Sequence, residues 1–364
     1  MNCMNVKNNR IFFLYNDLVK TKGLLPIKVT DFYNKKIQEE VDSVGIEGPL
    51  YRCSFPTKER IDLHADGEMP DYVCDKKNMP KNLGNFLIQK YDDRVLLLLS
   101  EQCFGHCQYC FRNQLLSTGQ LERGHQSIEN KIGEITKYIK KHNKVKEVIF
   151  SGGDPLLLGL NKLEKIFKYI SDNVKKIKFR IHTRSIVYRP DIFDKNLCSL
   201  LKKYQVRLVF HISHPYEVCD KVKEKINFVE SFGIRMYNQF PILRNINDHE
   251  KVLARLLENL DELGIRQLSI FIPDPINYGS SFRMPLERIF AIIDNLNTKY
   301  PSWINSFRLV LDTPIGKVRR EDIMSWDKES GAVVFQRNGK TVLYRDFPAE
   351  FDNPGKINKL LWKN

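Results

Sequence analysis

Residues 94–112 read RVLLLLSEQCFGHCQYCFR. The first seven form an apolar run that fits a buried strand and is too short to span a bilayer. Directly after it come Cys103, Cys107 and Cys110, spaced Cx3Cx2C, with Tyr109 just before the last. Three thiolates this close together can hold three irons of a [4Fe–4S] cube and leave the fourth iron without a protein ligand. An iron with an open position can bind and activate a small molecule, whereas a cube with four thiolates mainly passes electrons. The competing reading is a zinc loop, or thiols with no common role. Zinc normally takes a fourth Cys or His at short spacing, and His106 lies on a path between the thiols too tight for the same ion.

Outward from this stretch, short apolar runs alternate with segments of helical period. Strands are expected at Arg94–Ser100, Glu147–Ser151, Phe179–Arg184, Arg207–Ile212, Arg235–Leu243 and Gln267–Pro273. Helices are expected at Ser127–His142, Leu163–Asn173, His249–Leu263 and Leu286–Asn297, with Gly264 placed to end the third. Near-continuous apolar strands separated by helices argue for a parallel sheet covered by helices. Six such units in about 180 residues favour a barrel over an open doubly wound sheet. The expected fold is α/β: a partial (β/α)6 TIM-type barrel at 91–300, after a mostly helical N-terminal region at 1–90. In that first region Asp31–Val44 reads as a helix with Thr30 as its N-cap. A C-terminal segment at 301–364 would hold the loop around Lys317 and a hairpin turning at Asn338-Gly339, a favoured type I′ pair.

In such a barrel, chemistry gathers where strands end. The cysteine loop follows the first strand, and Ser151-Gly152-Gly153-Asp154 ends the second. His182 and Arg184 end the third, His211 and His214 follow the fourth, Asn238 and Gln239 lie in the fifth, and Asp274 ends the sixth. One polar group per strand along a single edge reads as an active-site rim.

The 364 residues suffice for one large barrel-type domain with additions, and 42% hydrophobic content fits a sizeable core. Eight cysteines are too few for a disulfide scaffold, and a reducing compartment suits an iron–sulfur site. The N-terminus lacks the pattern of a signal peptide, so a cytoplasmic protein is expected, with no membrane association. The net charge of +14 invites a nucleic-acid partner. Its lysines are dispersed over helix faces without interleaved aromatics, which reads better as a solvated surface that helps an acidic electron donor to dock.

At this point the chain resembles the radical S-adenosylmethionine superfamily, and within it the lysine 2,3-aminomutase family. The likeness spans roughly residues 85–320. It rests on YDDRVLLLLSEQCFGHCQYCFR, VIFSGGDPL, RIHTRSIVYRP, HISHPYE, YNQFPILRNIND and PDPINYGSSFRMP in that order. The resemblance implies a [4Fe–4S] cluster on the three cysteines, S-adenosylmethionine as cosubstrate, and pyridoxal phosphate. The last would form an imine with Lys317, in a loop about two residues shorter than the family's. It further implies that Ser151, Gly152, Gly153, Asp154, His182 and Arg184 belong to the cosubstrate side of the site. Tyr91, Arg94, Asn238 and Gln239 would contact pyridoxal phosphate. Arg112 would grip the substrate carboxylate, and Asp274 and Asp312 would receive a distant ammonium. The implied reaction moves an amino group from C2 to C3 of a cationic amino acid, foremost L-lysine to β-lysine. An electron donor such as flavodoxin or ferredoxin and a homo-oligomeric state come with the resemblance. Three readings stay open beside it. One is the branch that makes β-lysine for elongation factor P, against which Asp312 weighs. The others are an arginine 2,3-aminomutase and a radical enzyme on RNA or peptide without pyridoxal phosphate.

Overall fold

The structure, a computed structural model, describes residues 9–122 and 127–363. Its centre is a nine-stranded sheet whose strands follow chain order from one edge to the other. They are β1 (Leu87–Tyr91), β2 (Arg94–Ser100), β3 (Glu147–Gly152), β4 (Lys178–Thr183), β5 (Arg207–Phe210), β6 (Met236–Pro241), β7 (Arg266–Phe271), β8 (Arg308–Thr313) and β9 (Gly316–Val318). Neighbours from β2 to β8 pair in parallel, while β1 on β2 and β9 on β8 are antiparallel. The six expected strands are therefore present, and RLVLDT adds a seventh parallel one. That run was short enough to pass as part of a loop.

Crossover helices cover the outer face. Ile128–Lys141 starts at Ser127, whose side chain accepts from the Glu129 backbone N–H, and Glu250–Glu262 starts at His249 in the same way. Gly264 follows the second helix at φ +66°, where a left-handed residue ends a helix readily. Further helices span Leu160–Asn173, Lys195–Lys203, Asp220–Ser231 and Leu286–Lys299. Their apolar stripes pack on outward-facing strand residues. Phe167 stacks on Phe150 at 4.8 Å and meets Phe179 edge-on at 4.9 Å.

Before the barrel, the helix Asp31–Val44 is capped by Thr30, whose hydroxyl accepts from the Tyr33 N–H. After it, β10 (Ile323–Asp327), β11 (Ala332–Arg337) and β12 (Lys340–Arg345) form a separate antiparallel sheet. Asn338 and Gly339, at φ +50° and +73°, turn the β11–β12 hairpin as their type I′ preference requires. Among the described residues no helix is long and apolar enough to cross a membrane.

Candidate functional site

Side chains alternate across a strand, so every second residue of the sheet faces the barrel interior. There Arg180 and His182 of β4, Tyr237 and Gln239 of β6, and Val310 and Asp312 of β8 line a cavity of about 1030 Å³. Every site residue expected from the sequence lines this cavity except Asn238 and His214; His214 is fully buried with its Nε2 3.1 Å from the Leu360 carbonyl. For Asn238 the reason is parity: Asn238 sits between two inward-facing neighbours and points the other way. It is fully buried, exchanges hydrogen bonds with the Ile212 backbone, and donates to Gln267.

The cysteine loop is seated mainly by the N-terminal region. The His106 N–H donates to the Lys28 carbonyl, the Gln108 N–H to the Cys53 carbonyl, and the His106 ring lies 2.7 Å from the Pro26 carbonyl. The Nδ1 of His106 is thereby committed to the N-terminal region. Tyr188 closes the back of the loop, its hydroxyl 3.7 Å from the Cys107 sulfur, and it packs on Tyr33 at 4.9 Å. Tyr109 is anchored by contacts with His211 at 3.1 Å and Ser213 at 2.8 Å.

On the opposite side, Gly153 N–H donates to Ser100 and Asp154 N–H to Gln102, at 2.5 and 2.7 Å. A Cβ on Gly152 would run into the Ser100 carbonyl, and one on Gly153 into the Gln102 backbone. The glycine pair therefore makes room for the cysteine loop itself. Gly153→Ala is expected to force that loop outward at a cost of roughly 1–3 kcal/mol. Lower iron content per chain and a reduced Tm would show it; unchanged values of both would remove the glycine from this role.

Two other expected residues are committed to the scaffold. The buried Asp154 carboxylate accepts from the Thr183 hydroxyl and from the Leu156 and Arg184 N–H groups, tying the end of β3 to that of β4. Arg184 donates to Ser213, to the His211 carbonyl and to Glu217 at 2.5 Å.

Burial pushes the Cys103 thiol well above its ordinary value, with Asp154 and the other cysteines adding to it. Burial and Cys107 push Cys110 up to about 12. Such thiols are neutral until a cation draws off their protons. Among the described residues no three His, Cys, Asp or Glu side chains converge on one ion position. A cube gives each thiolate a different iron and needs no such convergence. Arg60 points the same way. It is 2% exposed, and its guanidinium nitrogens have no hydrogen-bond partner among the described residues. It lies over the Phe282 ring, which meets Tyr109 edge-on; burial lowers its pKa, and Tyr15, Glu68 and then Cys110 oppose that shift. A buried cation favours negative charge nearby, and an iron–sulfur cube on three thiolates would add to that of Glu68. The residues fit the cluster.

At the seam between the two edges of the sheet lies Lys317 of β9. Its amine sits 4.6 Å from the centre of the Phe271 ring. Burial lowers its pKa below the ordinary lysine value; Asp312 opposes this, while Arg94, Arg180 and Lys90 reinforce it. Tyr91 of β1 faces Gly316, and the Arg94 guanidinium covers the Tyr91 ring at 4.0 Å. Arg180 also pairs with Glu147. A partly buried amine of lowered pKa, an aromatic ring and two guanidinium groups form a donor set that fits pyridoxal phosphate.

The acids lie close by. Asp312 is ion-paired with Lys90 at 2.8 Å, and Asp75 with Arg112 at 2.7 Å. Arg112 also reaches the Ser151 hydroxyl at 3.3 Å. Asp274 forms no salt bridge among the described residues; burial raises its pKa well above the carboxylate range, and Asp312 adds to this. His182 is held neutral, mainly by burial and then by Arg180, and its Nδ1 lies 3.2 Å from the Gln239 amide nitrogen. Sequence reasoning missed Asp75, Lys90, Arg180 and Arg60. Only Arg180 carried a usable signal, sharing a strand face with His182 two residues on.

The profile of the radical SAM superfamily matches residues 97–277. The L-lysine 2,3-aminomutase of Buchnera aphidicola is 31% identical over 297 residues, 80% of this chain and 82% of that protein. That of Methanococcus maripaludis is 28% identical over 319 residues, covering 86% and 71%. That of Acetoanaerobium sticklandii is 32% identical over 265 residues, covering 72% and 59%. With its three cysteines at the mouth of the barrel and Lys317 at the seam, the chain belongs to the lysine 2,3-aminomutase family of the radical SAM superfamily.

Proposed function

We propose that this radical SAM enzyme moves the amino group of a cationic amino acid from C2 to C3, with L-lysine as the foremost substrate. The proposed cofactors are a [4Fe–4S] cluster, S-adenosylmethionine and pyridoxal phosphate. The observation that carries the reading is Lys317, a partly buried amine lowered in pKa beside Arg94 and Arg180, with Asp274 and Asp312 in the same cavity. When bound, the cluster and cosubstrate supply hydrogen-atom abstraction, and pyridoxal phosphate supplies the carbonyl that captures the migrating nitrogen.

The chain's own residues do the rest. Lys317, with its pKa lowered by burial, gives up its proton more readily than an exposed lysine, which favours attack on a carbonyl. Arg94 and Arg180 provide positive charge for a phosphate, and the Tyr91 ring borders the same space. Arg112 uses its Nε on Asp75 and keeps its remaining nitrogens, one of them near Ser151, for a substrate carboxylate. Asp274 receives the far ammonium, gaining the countercharge that would ionise it.

The direct test is incubation of reduced, reconstituted enzyme with L-lysine, L-arginine, L-ornithine and L-glutamate, followed by chromatography of the β-isomers. Isomer from a cationic substrate supports the reading, and none from any of them overturns it. Asp274→Asn should weaken L-lysine binding far more than binding of uncharged L-norleucine, since breaking one side of a buried charge pair costs roughly 3–5 kcal/mol. Equal losses for the two ligands would take Asp274 out of the ammonium site.

A further inference from the structure

Around Asp274 the cavity lining brings together the carboxylates Asp75 and Asp312 and the cations Lys90 and Arg112. Arg112 has its Nε on Asp75 and turns another nitrogen towards Ser151. Lys90 is spent on Asp312: its ammonium lies 2.8 Å from that carboxylate and donates to the Val73 carbonyl at 3.3 Å. The Lys90 side chain is 10% exposed, so its charge has little water to fall back on. A second cation at Asp312 would gain its attraction to the carboxylate but also meet Lys90 as a like charge, which offsets much of that gain.

Granting the aminomutase reading, we infer that Lys90 is a specificity-determining residue that occupies Asp312 in place of a substrate ammonium. The pocket then offers a cationic side chain a single open carboxylate, Asp274. The class of substrate is therefore an amino acid with one side-chain cation, held by one acid, and discrimination against neutral side chains is weaker than two open acids would give.

A plain structural role is the alternative. Lys90 lies on β1 and Asp312 on β8, so the pair also straps the seam of the barrel. The two roles separate in their effect on ligand charge. Calorimetry would follow L-lysine and L-norleucine binding to holoenzyme loaded with cluster and pyridoxal phosphate, without reductant. Lys90→Met, which keeps length and apolar bulk, should raise the ratio of lysine to norleucine affinity about tenfold, as expected for removing one like charge from a partly buried site. Lys90→Arg, which keeps the charge, should leave the ratio near that of the wild type. A ratio unchanged or lowered in Lys90→Met overturns the inference while the wild type still isomerises lysine, leaving only the strap. A Lys90→Met protein that fails to fold transfers the decision to Lys90→Arg, where a ratio shifted as far as tenfold overturns it and an unshifted ratio supports it. A wild type that binds and isomerises no cationic amino acid overturns the aminomutase reading and this inference together.

Discussion

Replacing Lys317 by alanine is expected to abolish isomerisation and to remove the absorbance of a lysine imine from protein loaded with pyridoxal phosphate. Borohydride reduction followed by peptide mapping should place the cofactor on Lys317 in the wild type and nowhere in the variant. The physical basis is the amine's surroundings. Burial against Phe271, reinforced by Arg94, Arg180 and Lys90, favours the neutral form that attacks a carbonyl. Imine formation should therefore titrate below the ordinary lysine value of 10.5. The sign on stability runs the other way. The unfolded chain binds a proton on this lysine more tightly than the folded chain does. Its burial thus costs stability at all pH values below the folded pKa, and that cost disappears as pH rises through 10.5. Lys317→Met should accordingly raise the Tm of cofactor-free protein at neutral pH. An imine band that survives in Lys317→Ala would discard the assignment.

The second large effect concerns the thiols. Any one of Cys103→Ala, Cys107→Ala or Cys110→Ala should stop reductive cleavage of S-adenosylmethionine to 5′-deoxyadenosine and methionine. Each thiolate serves a different iron, so no remaining cysteine can take over from the one removed. Of the cysteines outside the triad, Cys53 and Cys198 are buried in apolar packing. Iron content should fall with activity, while the Tm changes much less, because the loop is held by backbone bonds to Lys28 and Cys53. Cleavage at the wild-type rate in any of the three variants would sink the cluster assignment.

The order of these groups along the chain was readable because it depends on local pattern. RVLLLLS is a strand from its composition alone, and the structure places β2 at the same residues. The glycines after VIFS and the cysteine spacing are likewise local features. Parity within a strand is local too, and applied to YNQFP it would have separated Gln239 from Asn238 at the outset. The short strand RLVLDT was missed because four apolar positions do not distinguish a barrel strand from a loop. LIQKY of β1 was missed because an edge strand carries a weaker apolar pattern.

What the sequence determined by itself is the set of reacting groups: three thiols, a lysine after the barrel, and acids after strands. Chain order and side-chain periodicity suffice to put them on one rim. What only the tertiary structure decided is which charges are already spent. Lys90 meets Asp312 across 222 residues, Asp75 meets Arg112 across 37, and Arg60 is buried without a hydrogen-bond partner among the described residues. Such pairings depend on which long side chains reach each other once the seam of the barrel is formed. Coulomb energy falls with distance and rises with burial, and both are properties of the fold rather than of the sequence pattern.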